Sequence, residues 1–84
     1  MGNPKLSSKV KMRKDLAGYI LYRTNGTTLL LNSVGYDILS LCDGRNSPTD
    51  MVAKIKEKYN VETEIKDDII KFLEDFKGME LVDY

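Results

Sequence analysis

The sequence predicts an α+β domain in which a three-stranded antiparallel sheet is followed by three helices. Three observations carry this. Residues 9–31 alternate apolar and polar positions around the turn dipeptide Asn25-Gly26. Residues 47–60 form an apolar stripe of helical period, opened by Ser47-Pro48 and closed by Asn60. Residues 63–78 carry a second, longer stripe that runs to Gly78.

Taken in order, Met1 to Ser8 is polar with an early Pro4 and reads as a flexible arm, leaving residues 9–84 as one domain. Met1-Gly2 begins a myristoylation motif, but Leu6 stands where Ser or Thr is required. Lys9 to Lys14 has period two, with Val10 and Met12 on one side and Lys9, Lys11 and Arg13 on the other. Its five basic residues between Lys5 and Lys14 either guard an edge strand against aggregation or meet an acidic partner. Asp15-Leu16-Ala17-Gly18 reads as a turn, and Tyr19 to Arg23 as the second strand.

Asn25-Gly26 is the strongest short hairpin signal in the chain, since both residues tolerate positive φ. A two-residue loop sets Thr24 opposite Thr27, Tyr22 opposite Leu29 and Ile20 opposite Leu31, which makes that side the core face. Leu21 and Leu30 then fall on the second face. They are covered there by the first strand and the arm, or they belong to a docking surface.

Thr27 to Leu31 runs straight into a helix. Asn32 or Ser33 supplies the cap, Val34, Ile38, Leu39, Leu41 and Cys42 the stripe, and Asp43-Gly44 the stop. In the next helix Ser47 is the N-cap, Pro48 takes the first helical position, and Met51, Val52, Ile55 and Tyr59 face inward. Thr63 caps a third helix, Glu64 to Lys77, whose buried stripe is Ile65, Ile69, Phe72, Leu73 and Phe76. Met79, Leu81 and Val82 form a short extended tail. This order gives a winged-helix-like domain with its hairpin placed first.

Composition removes much chemistry. Eighty-four residues make one small core, worth about 3–5 kcal/mol net. Thirteen basic residues balance thirteen acidic ones, which argues against nucleic acid as a partner. One Cys and no His leave no disulfide framework, zinc cluster or Ser–His pair, so neither an enzyme nor a metal or cofactor site is expected. No apolar run approaches the ~20 residues of a membrane span, and no signal-peptide core is present, so a cytoplasmic protein off the membrane is expected. Cys42, on an apolar face, is expected to be buried and inert. Tyr36 lies off its helix's stripe, at the surface or lining a groove. Asp67 and Asp68 diverge by about 100° and favour the helix dipole rather than paired acid–base work.

Leu31-Asn32, Ile38-Leu39, Leu41-Cys42-Asp43-Gly44, Met51-Val52 with Ile55 and Tyr59, Val61, and a long helix ending at Gly78 together resemble the PqqD-like family over about residues 9–82. Its members are also called RiPP recognition elements, for ribosomally made and post-translationally modified peptides. The resemblance implies a non-catalytic module that captures the leader of a precursor peptide by strand addition and presents it to a modifying enzyme, a radical SAM enzyme. It implies that the leader pairs with the third strand, here Thr27 to Asn32, and lies on the third helix, here Glu64 to Lys77.

The residues make such a site possible. An edge strand can accept another strand, so Thr27, Thr28, Leu29, Leu30 and Leu31 are candidates. At about 100° per residue, Lys66, Ile70 and Lys77 share one flank of the third helix beside Leu73, while Asp68, Lys71 and Asp75 hold the other. Ile70 between two lysines suits an apolar anchor with acidic neighbours, or it simply widens the core stripe. The competing function is a winged-helix DNA-binding regulator. Its recognition helix would carry Glu64, Asp67, Asp68, Glu74 and Asp75 against three lysines, which suits a major groove poorly.

Overall fold

The computed structural model describes residues 3–16 and 18–84. Met1, Gly2 and Ala17 lie outside them, so the start of the expected arm, the Met1-Gly2 motif and one residue of the expected Asp15–Gly18 turn are not described. The elements are β1 (Lys5–Leu6), β2 (Val10–Asp15), β3 (Gly18–Arg23), β4 (Thr28–Leu31), α1 (Ser33–Ser40), α2 (Pro48–Tyr59), α3 (Lys66–Gly78) and β5 (Val82–Asp83). Strands β2, β3 and β4 form the antiparallel sheet in that order, and β1 pairs with β5 in a separate ribbon. Three strands and three helices stand as the residues predict.

The hairpin register differs from expectation by one residue. Tyr19 pairs with Leu31, Ile20 with Leu30, Leu21 with Leu29 and Tyr22 with Thr28. The loop holds three residues, Thr24 to Gly26, rather than two. Gly26 N–H donates to the Arg23 carbonyl at 3.0 Å and Arg23 N–H to the Thr27 carbonyl at 2.9 Å. Gly26 alone takes positive φ, at 92°, while Asn25 Oδ1 accepts from Thr27 N–H. This is a turn closed by a glycine bulge, and the extra residue puts every β3 side chain on the opposite face from the one expected, while Leu29 and Leu31 keep theirs. Leu21 is therefore the core residue, fully buried, while Leu30 is 77% exposed on the opposite face with Ile20 and Tyr22.

The arm is also corrected. Pro4 is buried, and β1 is held from both sides. Leu6 N–H donates to Cys42 O, Ser7 N–H donates to Leu81 O, and Gly44 N–H donates to Pro4 O. What brings the tail to the arm is the end of α3. Glu80, not Gly78, takes the left-handed conformation, with φ 61°. Glu80 N–H donates to Lys77 O and Leu81 N–H donates to Phe76 O, a Schellman pair that turns Leu81 and Val82 into the core.

The other caps follow the residues in part. Asn32 Oδ1 accepts from Gly35 N–H at 2.7 Å, and Ser47 and Asp50 form a reciprocal capping box. Asn60 ends α2 in the left-handed region. Thr63 does not cap α3. That helix starts at Lys66 without a side-chain cap, and Glu64 Oε1 accepts from Lys66 N–H instead. Helix α1 stops at Ser40, so Leu41 and Cys42 lie in a turn before Gly44 takes φ 82°. The core gathers Leu21, Ile38, Leu39, Met51, Ile55, Ile69, Leu73, Phe76 and Leu81 from every layer.

Candidate peptide-binding edge and groove

Both outer strands of the sheet have an outer edge, and the two differ in chemistry. β2 carries Lys11, Arg13 and Lys14, the charged guard expected of a strand that must not pair. β4 is Thr-Leu-Leu-Leu and carries no charge. Because Arg23 and Thr27 are a bonded pair, the antiparallel alternation makes Leu21–Leu29 and Tyr19–Leu31 bonded pairs too. The backbone N–H and C=O groups of Thr28 and Leu30 then point away from β3, along the outer edge. Thr27 contributes less, since its N–H and C=O already bond Asn25 and Arg23.

The end of β4 leads through the Asn32 cap into α1, and Val34 in that first turn lines a groove of about 600 Å³ between the three helices. Tyr59 of α2, Ile65 just before α3, and Ile69 and Phe72 of α3 make its apolar walls, and Asp68, Lys71 and Asp75 stand at its rim. Phe72 is half-buried, its ring centroid 5.9 Å from that of Phe76.

One polar cluster fixes the wall formed by Tyr59. Its hydroxyl donates to Asp37 Oδ2 at 2.5 Å, and Lys58 Nζ donates to Asp37 Oδ1 at 2.9 Å. Burial pushes the Asp37 carboxyl up, but the bonds from Tyr59 and Lys58 outweigh it and hold the pKa below the ordinary value. The same bond pushes the Tyr59 hydroxyl up. Tyr36, left between surface and groove by the sequence, packs half-buried on Tyr19 with centroids 4.6 Å apart and so ties α1 to β3. Cys42 is buried, and burial pushes its thiol up to about 12.

The expected site residues divide. Thr28, Leu29, Leu30 and Leu31 form the β4 edge, with Leu29 and Leu31 packed toward the core and Leu30 away from it. Leu73 is 1% exposed, so its side chain is core. Lys77 lies over the Tyr84 ring at 4.5 Å and lines a second concavity with Val82, Tyr84 and the residues after β1. Lys66 is exposed and Ile70 half-buried, on the same flank as Lys77 by helical spacing. None of Lys66, Ile70, Leu73 and Lys77 lines the groove beside α1. The residues that do are Asp68, Lys71 and Asp75, on the opposite flank, with Ile69 and Phe72 of the buried stripe. The signal was Phe72, which sits at the margin of the buried stripe.

Comparison with known proteins follows the same lines. No curated protein matches. The solved structure of TbiB1 in complex with the TbiA(beta) leader peptide is 27% identical, with a TM-score of 0.77 over 94% of this chain and 94% of that one. A lasso peptide synthetase B1 complexed with its leader peptide superposes with a TM-score of 0.80 at 20% identity, over 98% and 99% of the two chains. The PqqD truncation of Methylobacterium extorquens PqqCD, a stand-alone RiPP recognition element, superposes at 0.78 with 23% identity, over 96% and 88%. These last two likenesses concern the fold. The family described as coenzyme PQQ synthesis protein D matches residues 18–82, most of the sheet and all three helices. The chain belongs to the PqqD family.

Proposed function

We propose that this protein is a non-catalytic module that captures the leader of a precursor peptide by strand addition and presents it to a modifying enzyme. The observation that carries this is the uncharged outer edge of β4 leading into an apolar groove. The TbiB1 structure, at 27% identity, is that of a leader complex and supports the same reading. The leader pairs with the main chain of Thr28 and Leu30 and sends one apolar side chain toward Val34, Ile65 and Phe72. Asp68 and Asp75 at the rim favour a Lys or Arg beside that anchor. A radical SAM enzyme as that partner is what the sequence resemblance implies, and a neighbouring gene for one is the observation that checks it.

Amide chemical-shift mapping with a synthetic leader from the adjoining precursor gene tests the site. Shifts at residues 28–31 together with 68–75 are expected. Shifts at 28–31 with Lys66, Ile70 and Lys77 put the peptide on the other flank of α3. The paired reversals Asp68→Lys with Asp75→Lys, and Lys66→Glu with Lys77→Glu, separate the flanks independently. The first pair should slow association and alter its salt dependence, and the second should leave both unchanged. Silence at residues 28–31 refutes strand addition.

A further inference from the structure

We propose that Leu30 is a specificity-determining residue, reading an apolar side chain that the added strand turns outward, onto the sheet face away from the helices. The inference rests on the strand-addition reading above and adds a second point of contact to it.

Neighbouring residues across a sheet share a face. On the outer face the pairing makes two rows, Arg13–Ile20–Leu30 and Lys11–Tyr22–Thr28. Each row ends at β4, and a strand added there supplies the next member of each. The first row offers a slot bounded by Leu30, with half-buried Ile20 behind it. The second offers a slot beside the Thr28 hydroxyl. An isolated exposed leucine carries no meaning, and Leu16 at the tip of the β2–β3 turn is an example. Leu30 differs in its place. It lies on the uncharged edge, and its outward backbone groups are among those the leader would bond. It is 77% exposed although its strand neighbours Leu29 and Leu31 are half-buried.

The class of peptide follows from the period of a strand. Residues facing Leu29 and Leu31 point toward the helices, and the residue beside Leu30 points away from them. A leader bound here therefore carries an outward apolar residue, β-branched or aromatic, at an odd spacing from its inward anchors. The residue two positions from it, beside Thr28, is polar or Thr.

A displayed library of random peptides, selected in parallel on the wild-type chain and on Leu30→Glu, tests this. The substitution is at an exposed position, and a dispersed amide spectrum checks that the fold persists. Wild type should select an outward apolar position. Leu30→Glu should select Lys or Arg at that position while the inward preferences stay the same. A peptide chosen by wild type should bind the variant roughly fivefold more weakly. If both chains select the same peptides with the same affinity, and these shift the amides of Thr28 and Leu30, the role of Leu30 is overturned while strand addition stands. If selection yields no peptide that moves those amides, strand addition fails and the inference with it.

Discussion

Tyr59 reaches the groove from α2, and what holds it there is Asp37 of α1. Replacing Tyr59 with Phe removes one hydroxyl and leaves the ring. A hydrogen bond to a charged acceptor contributes about 1.5–3 kcal/mol, and this one is at 2.5 Å to a side chain only 14% exposed. Water still reaches the carboxylate, so the lower end applies, about 1.5 kcal/mol. The Lys58 bond to the same carboxylate has good length at 2.9 Å, but the lysine side chain is 61% exposed, so solvent screens the pair and it contributes much less. Tyr59→Phe should therefore lower the thermal midpoint by roughly 6–12 °C for a domain of this size, and Lys58→Ala by only a few degrees. Double-mutant cycles with Asp37→Ala should give a coupling of about 1.5 kcal/mol for Tyr59 and less than half of that for Lys58.

The pH dependence has a definite sign. The folded pKa of Asp37 is depressed, so its contribution is fully present above the unfolded value, about 3.9, and is lost as pH falls through the folded value. The stability gap between wild type and Asp37→Asn should be widest above about pH 5 and close toward pH 2. Urea titrations monitored by far-UV circular dichroism at a series of pH values measure both effects. Equal couplings for Tyr59 and Lys58, or a gap that widens in acid, would refute the assignment of the hydroxyl as the stronger partner.

Other consequences follow from single residues. Cys42→Ala should cost about 1–2 kcal/mol, and the native thiol should react slowly with a thiol reagent at neutral pH, because burial keeps it protonated; rapid labelling of folded protein contradicts this. Glu80→Gly relieves an L-residue at φ 61° and should raise stability by about 0.5–1 kcal/mol in the same urea titration, and Gly78→Ala, a helical position with open space for a Cβ, should raise it by a similar amount rather than break a left-handed stop. Random duplex DNA should not bind measurably in an anisotropy titration at physiological salt, since charge is balanced and the third helix is acidic.

Most of the architecture was legible because it rests on local chemistry. The cap at Ser47, the stop at Asn60 and the stripes of α2 and α3 each depend on residues within one or two turns. What escaped depended on contacts made at a distance. The arm at Lys5–Leu6 has no strong signal of its own and becomes a strand only because the Schellman turn at Glu80 delivers β5 beside it. Lys66, Ile70 and Lys77 share a flank on any helical wheel, but a wheel does not say which flank faces the end of β4. That is set by the packing of α3 against α1 and α2, which puts Phe72 in one groove with Val34 and Lys77 over the Tyr84 ring.

The hairpin is the most consequential of these cases. Asn25-Gly26 permits two loops, a two-residue turn with both residues at positive φ and a three-residue loop in which only the glycine is. Core burial decides between them. In the two-residue register Ile20, Tyr22, Leu29 and Leu31 face inward together, and the Tyr22 hydroxyl enters the core. In the three-residue register Val10, Met12, Leu21, Leu29 and Leu31 line the centre of one face, Tyr19 closes one end of it against Tyr36, and Arg23 at the other end reaches the α3 terminus, where Nη2 donates to Met79 O at 2.6 Å. That choice is made by β2 and by the far end of α3, more than fifty residues along the chain. It also decides which β3 side chains stand beside Leu30 on the outer face, Ile20 and Tyr22 rather than Leu21. With the bulge at Gly26, Leu30 carries both the outward backbone groups and the exposed side chain. Deleting Thr24 shortens the loop to Asn25-Gly26 but leaves Arg23 opposite Thr27, so Leu21 should stay in the core and Leu30 outside it, and the loss should be confined to the turn and read as a modest drop in stability in a urea titration; a spectrum that reports a rearranged sheet would refute the claim that the Arg23–Thr27 pair sets the register.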